Sequence, residues 1–269
     1  MQHGKITLAF AGGVATMTLN DPGSLNAFGH KLRQDMSAAL DAVEAAAAKA
    51  EARCLLIAGA GRAFCSGANL NDPDRPERNR EAEARGDVES DLESWYNPTF
   101  LRLRALEIPV VAAINGVAAG AGMSLALSAD IKLMARSAYF LQAFARIGLV
   151  PDCGSSWILP RLVGVARALE LSLLAERLPA ETAAAWGLVN RVVDDGDLAE
   201  AARGMAARLA TGPASLGMIR RMYWEGLENG YADQLQLEAD LQKRAGQSAD
   251  FAEGVAAFRE KREAKFSGR

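Results

Sequence analysis

Histidine and cysteine are scarce in this chain: two and three residues in 269. His3 and His30 sit near the start, one close to the terminus and one after a turn, so a Ser-His-Asp or Cys-His nucleophile is poorly supplied. Proton chemistry, if present, falls to carboxylates. Cys54, Cys65 and Cys153 are odd in number and form no CxxC pair, which supports neither a zinc site nor a disulfide framework. No metal is expected, and a reducing cytoplasm is the expected compartment. Met1 to Lys5 lacks the apolar stretch of a signal peptide, and no apolar run approaches the ~18 residues of a membrane span. The net charge is −3 and no basic stripe is visible, so nucleic acid is not an expected partner. Internal repeats and low-complexity linkers are also lacking.

What is present is an ordinary globular composition, half hydrophobic, in a chain long enough for one large core and an appendage. Ile6–Phe10 and Val14–Leu19 flank Ala11-Gly12-Gly13 and predict a hairpin. Leu32, Met36, Leu40 and Val43 recur at helical spacing between His30 and Ala50. Cys54–Ala58, Pro109–Ile114 and Ile131–Met134 are short apolar runs that predict buried parallel strands. Asp72 to Glu93 is charged and poor in apolar residues, which predicts a mobile surface segment or exposed helix. Trp95–Leu106 resumes a helical pattern. After Leu188-Val189 the chain reads as helices alone: Leu198–Leu209, Ala214–Glu228, Tyr231–Ala245 and Phe251–Lys265. The expected fold class is α/β with a layered parallel sheet over 1–195, followed by a helical region over 196–269.

Two glycine-rich loops each follow a predicted core strand. The first runs Gly59-Ala60-Gly61-Arg62-Ala63-Phe64-Cys65-Ser66-Gly67-Ala68-Asn69-Leu70. The second runs Asn115-Gly116-Val117-Ala118-Ala119-Gly120-Ala121-Gly122-Met123-Ser124, with a small-residue helix starting near Gly120 to Gly122 and reaching Ser128. Free N–H groups at such a helix start favour a developing negative charge. Two donors aimed at one carbonyl oxygen make an oxyanion hole. Neither loop is a P-loop or a dinucleotide fingerprint, and singly either reads equally well as a tight strand-to-helix turn.

The pair of loops, about fifty residues apart, resembles the crotonase (enoyl-CoA hydratase/isomerase) superfamily. Ser24-Leu25-Asn26-Ala27, Gly148–Gly154, Leu159–Gly164, Ala183–Val189 and the ending Ala257–Arg262 extend the likeness along nearly the whole chain. The resemblance implies a spiral of ββα turns with a helical trimerisation region, a homotrimer or dimer of trimers. It implies a coenzyme A thioester as substrate, with no metal or redox cofactor. It puts the oxyanion donors at the N–H groups of Ala68 and Ala121, where the family more often has Gly at the second position. Asn69 stands in place of a commoner Asp. Asn26, Ala27, Ala63, Gly67, Asn69, Leu70 and Gly120 fall where relatives hold substrate or coenzyme A, as do Phe258 and Lys261, the latter often reaching a neighbouring subunit's site.

Hydratases of this family use two glutamates, at the positions of Ser124 and Phe144. Neither residue can activate water or protonate carbon at neutral pH, so simple hydration is disfavoured. The remaining carboxylate is Asp152, which several isomerases of enoyl-CoA and of the ring epoxide of phenylacetyl-CoA match. Phe144, Val150 and Trp157 are expected to desolvate it and raise its pKa. The competing reading of Asp152 is a helix N-cap. Asp130 is expected to cap or pair at a strand start. Trp95, Tyr96, Phe100 and Trp157 fit either an acyl pocket or core, and the cysteines fit packing. A dehalogenase relative also has Asp here but needs a histidine this chain lacks. Hydratase activity with atypical residues, or a non-catalytic binding protein, are the alternatives to an isomerase.

Overall fold

A computed structural model describes residues 2–76, 81, 84–85 and 91–269. Two sheets organise it. The larger has the order β1-β2-β3-β4-β6-β8-β11, and the smaller β10-β9-β7-β5. In the larger sheet, β1 (Gln2–His3), β2 (Ile6–Ala11) and β3 (Val14–Leu19) are antiparallel neighbours. From β3 onward, β4 (Cys54–Gly59), β6 (Val110–Ile114), β8 (Ile131–Ala135) and β11 (Arg191–Val193) pair in parallel. The first four residues of β4 and all of β6 are buried, as expected for parallel strands covered on both faces.

The smaller sheet is made of three-residue strands: β5 (Ala63–Cys65), β7 (Val117–Ala119), β9 (Tyr139–Leu141) and β10 (Arg177–Pro179). Each of β4, β6 and β8 is followed in the chain by one of β5, β7 and β9. Every turn of the chain therefore adds one strand to each sheet, and β5-β7-β9 repeats the order β4-β6-β8. This is the spiral that the resemblance implies.

Helices enclose it: α1 (His30–Ala48), α2 (Asn97–Ala105), α3 (Ala121–Leu127), α4 (Ser155–Leu174), α5 (Ala180–Ala185), α6 (Leu198–Ala210), α7 (Ser215–Gly226), α8 (Tyr231–Gly246) and α9 (Ala249–Glu260). A π-helical turn, Leu92–Tyr96, leads into α2. α6 buries Leu198, Ala202, Ala206 and Ala210, and packs on β4, β6 and β8.

Four expectations need correcting. The region after Val189 is not all helix, because Arg191–Val193 completes the large sheet. The last helix ends at Glu260 rather than Lys265, because Lys261 turns left-handed at φ 55°. Asp72 is no mobile surface residue: it is buried, and its carboxylate accepts the His30 N–H at the start of α1. Much of the predicted charged segment that follows, 77–80, 82–83 and 86–90, lies outside the described residues. Finally, Val150 is 80% exposed and desolvates nothing.

A polar cluster around Asp130 ties the helical region to the sheet. Asp130 accepts the Val110 N–H and the Arg220 Nε–H with one oxygen, and the Trp224 indole N–H with the other. Arg220, buried, also donates to the carbonyls of Leu103 and Leu106 at the end of α2. It donates to the Arg104 carbonyl as well, so removing the cation would leave a carboxylate and three carbonyls short of donors. Arg220→Ala is expected to destabilise the protein by about 3–5 kcal/mol in denaturant titration. Arg220→Lys should recover less than half of that, since an ammonium cannot reproduce the planar fork.

Candidate active site

The two glycine loops meet backbone to backbone. A Cβ on Gly67 would stand 2.8 Å from the Ala119 carbonyl oxygen and 3.6 Å from the Ala121 nitrogen. Gly67 itself has φ +93°. Beyond it, Phe28 and Ala68 form an isolated parallel bridge. Phe28 N–H donates to the Gly67 carbonyl and Asn69 N–H donates to the Phe28 carbonyl. That pairing uses the residues on either side of Ala68 and turns the Ala68 N–H away from the bridge.

On the other loop, Gly120 takes the conformation φ 50°, ψ −126°, which only glycine accepts readily. Gly120 N–H is held by the Leu141 carbonyl at 2.9 Å. Ala121 follows as the first residue of α3, with ordinary backbone angles, so its Cβ is no obstacle to the fold. Its N–H is one of the helix's opening donors, which have no intrahelical acceptor. Two backbone donors thus border one spot where the loops touch.

Asp152 lies beside the first turn of α3. Its main-chain carbonyl accepts the Ser124 hydroxyl at 3.4 Å and the Ser155 hydroxyl and N–H at 2.9 and 3.0 Å. Its carboxylate caps nothing: α4 begins at Ser155 with Gly154 as N-cap and no side-chain cap. One carboxylate oxygen is buried without a hydrogen-bond partner. Burial pushes the Asp152 carboxyl above the usual carboxylate range, and a hydrogen bond with the Cys153 thiol pulls it partly back. The thiols of Cys54 and Cys65 are pushed up to about 12 by burial, and that of Cys153 is pushed up as well. All three stay protonated at neutral pH and serve as packing groups.

The Phe144 ring covers the glycine hinge: its Cζ would lie 3.7 Å from a Cβ on Gly120. A cavity of about 350 Å³ opens between α2, α3 and α4, bounded by Phe100, Ser124, Cys153, Trp157, Ile158 and Trp224; Asp152 itself does not line it. Trp157 stacks on Trp224 at 6.5 Å, and the Arg104 guanidinium sits over both rings. Of the four aromatics considered for a pocket, Phe100 and Trp157 line this one. Trp95 and Tyr96 instead pack on each other and on Phe28, and the Trp95 indole donates to Arg33 and Ser37. A larger cavity, about 880 Å³, lies away from the loops, where Lys49 and Arg53 meet Gly217.

The other expected ligand residues divide. Ala63, Gly67, Asn69 and Leu70 are on the first loop, with Leu70 mostly exposed. Asn26 is fully buried and spent on the fold: its amide donates to the Ala60 and Ala63 carbonyls and accepts the Asp21 N–H. Ala27 is buried beside it, its N–H donated to Ser24. Phe258 and Lys261 sit at the end of α9. Phe258 is 86% exposed and borders a separate cavity of about 480 Å³ with Met218 and Phe251. The single chain does not bring them to the loops. Sequence reasoning passed over Gln142, fully buried next to Leu141, with both ends of its amide unpartnered.

With this geometry in place, comparison with known proteins settles the class. The sequence pattern of the family described as enoyl-CoA hydratase/isomerase matches residues 9–269, and the chain belongs to that family of enzymes. It is 46% identical over 261 residues to the 1,2-epoxyphenylacetyl-CoA isomerase of Escherichia coli (strain K12), covering 96% of each chain. It is 34% identical to the trans-2-decenoyl-[acyl-carrier-protein] isomerase of Streptococcus mutans over 96% of this chain and 95% of that protein. A crystal structure described as an enoyl-CoA hydratase/isomerase from Cupriavidus metallidurans superposes with a TM-score of 0.89 at 29% identity, over all of this chain and 98% of the other. One described as an enoyl-CoA hydratase from Bacillus anthracis superposes at 0.87 with 30% identity, over 98% of this chain and all of the other. Among the described residues, no helix is long and apolar enough to cross a membrane.

A carboxyl whose folded pKa exceeds its unfolded one favours folding only while protonated. Its contribution is fully present below the unfolded pKa and is lost as pH rises through the folded pKa. Asp152→Asn removes the charge, so its melting temperature at pH 7 is expected to exceed wild type by about 2 °C. The gap should close as pH falls toward the ordinary carboxylate pKa. A lower melting temperature for Asp152→Asn at pH 7 would contradict a carboxylate that burial disfavours in its charged form.

Proposed function

We propose that the chain is an acyl-CoA isomerase that works through a thioester enolate, with the Ala68 and Ala121 N–H groups binding the enolate oxygen and Asp152 carrying the proton. The observation that supports this above others is the Asp152 carboxylate, partly buried with one oxygen unpartnered, on a segment that accepts the Ser124 hydroxyl of α3, while Ser124 and Phe144 fill the two positions of the hydratase glutamates.

For a 3-enoyl thioester, Asp152 takes a proton from C2. The electron pair moves onto the thioester oxygen, which the two N–H groups stabilise. The carboxylic acid then returns the proton to C4 as the double bond moves to C2–C3. One group suffices because the proton gained in the first half is spent in the second. Loss of one such oxyanion donor costs roughly 3–4 kcal/mol of transition-state stabilisation. Charge balance is met by backbone amides and one carboxyl, so the step as written calls for no metal or redox group. Opening of a ring epoxide on an arylacetyl thioester, the substrate type named for the Escherichia coli relative, is the second substrate class this site would serve.

We also propose a homotrimer or dimer of trimers. α4 carries Val165, Leu169 and Leu173 exposed, apolar surface that a subunit contact would cover. In such an assembly Phe258 and Lys261 would complete a neighbour's coenzyme A site.

Wild type and Asp152→Asn should be assayed with 3-hexenoyl-CoA, crotonyl-CoA and the ring 1,2-epoxide of phenylacetyl-CoA. Asp152→Asn is expected to lose about 10²–10⁴-fold in kcat. Full retention of isomerase activity in that variant, or hydration of crotonyl-CoA by the wild type at ordinary enzyme rates, overturns the reading. Because the working form of Asp152 is the anion, kcat/KM should rise with pH through a pKa above the ordinary carboxylate value and then level off. A profile already flat at pH 4 would contradict it.

A further inference from the structure

The cavity of about 350 Å³ between α2, α3 and α4 shares side chains with the segments that carry the proposed base and donor. Cys153 lines it, and the Cys153 thiol donates a hydrogen bond to the Asp152 carboxyl. Ser124 lines it as well, and its hydroxyl reaches the Gly120 and Asp152 carbonyls at 3.4 Å each. Ala121, Ser124 and Ser128 follow one another at helical spacing and share one face of α3. The cavity is thus one helical turn along α3 from the Ala121 donor and one side chain away from the Asp152 carboxyl.

Phe100, Trp157 and Trp224 supply its aromatic wall. The Trp157 and Trp224 rings lie 6.5 Å apart and within 28° of parallel. Both are held in place. The Trp224 indole N–H donates to Asp130 at 2.8 Å. The Arg104 guanidinium lies over both rings and donates to the Trp224 carbonyl and to Glu228. Arg161 sits over Trp157, 3.9 Å from its ring centre. Cations stacked on indole faces hold the ring planes. The Ser124 and Ser128 hydroxyls are already donated to main-chain carbonyls. What these walls offer a ligand is apolar, flat surface.

We infer that this cavity is the acyl subsite, and that Trp157 and Trp224 make it selective for a planar ring next to the thioester over a straight acyl chain. The inference rests on the enolate site proposed above and names the acyl class that site receives. A ring offset-stacked on an indole or set edge-on to it gains more than its buried area alone gives. A saturated chain gains the area only, and it gives up more conformational freedom on binding. Trp224 comes from α7, so the helical region supplies part of the wall that selects the substrate.

The test measures binding of phenylacetyl-CoA and of octanoyl-CoA, the straight chain with the same number of carbons, by titration calorimetry on the whole chain. Neither has a double bond to move or an epoxide to open, so binding is read without turnover. Wild type is expected to bind phenylacetyl-CoA at least ~10-fold more tightly, and Trp157→Leu to narrow that ratio to within ~3-fold. A wild type without the preference, or a ratio that Trp157→Leu leaves unchanged, overturns the inference. If Trp157→Leu does not fold, the tryptophan emission of wild type decides. Phenylacetyl-CoA at saturation is expected to change it more than octanoyl-CoA does, and equal changes overturn the inference. The outcome is separable from that of the proposed reaction: full activity in Asp152→Asn sinks the isomerase mechanism, whereas the acyl subsite is judged by a ratio of affinities that involves no proton transfer.

Discussion

The structure turns on the contact between two stretches of backbone, Cys65–Gly67 and Ala119–Gly122. They lie too close for any side chain to separate them. A Cβ on Gly122 would be 2.1 Å from the Cys65 carbonyl oxygen, far inside van der Waals contact. This approach fixes where Ala68 and Ala121 present their N–H groups, because each follows a glycine seated in the contact. Electrostatic stabilisation by such donors depends on their being held in place before charge develops. The second sheet provides that hold. β5 and β7 pair directly, β7 pairs β9, and the Leu141 carbonyl at the end of β9 grips Gly120.

Around this rigid contact the polar accounts are mostly closed. Asn26 makes three hydrogen bonds from full burial to brace the first loop. Asp130, Arg220 and Trp224 close the junction between helical region and sheet. An unpaired Asp152 oxygen and an unpaired Gln142 amide lie on the two segments that flank Gly120 and α3. The Asn115 oxygen is a further buried atom without a hydrogen-bond partner, so such atoms are not confined to these two segments.

Long apolar runs were legible because their burial alone dictates them. Val14–Leu19 alternates buried and half-buried as a strand should, and Val110–Ile114 is buried throughout. The three-residue strands β5, β7 and β9 were not. β5 and β7 sit inside the glycine-rich loops and β9 is only three residues long, and only their register against one another makes them strands. Lys261 was read as mid-helix because nothing in its side chain announces a left-handed cap. Asp72 was read as surface because a lone acid in a charged stretch gives no hint of the His30 N–H it would meet forty-two residues away. For the candidate site, Asp152, Ala68 and Ala121 were singled out through motif likeness, not periodicity. Gln142 was missed because a single glutamine among apolar residues has no spacing to betray it. Only the missing partners single it out.

Under the proposed isomerase reading, Ser124 and Phe144 in place of two hydratase glutamates would change the reaction that one frame runs. Ser124 no longer offers a charge. Its hydroxyl reaches the Gly120 and Asp152 carbonyls at 3.4 Å each, so it joins the second loop to the segment carrying the carboxylate. Phe144 puts an aromatic face where the other acid would stand, against Gly120. Two carboxylates there would attract water and raise each other's pKa by mutual repulsion. A hydroxyl and a phenyl ring do neither. What remains is one carboxyl made more basic by burial, not by a like charge. An isolated base of this kind can take a proton and keep it only if water does not exchange it first. In the proposed reading, a proton transfer that stays within the substrate calls for a dry surround, and a phenyl ring at position 144 suits that better than a carboxylate, whereas a hydration needs the opposite.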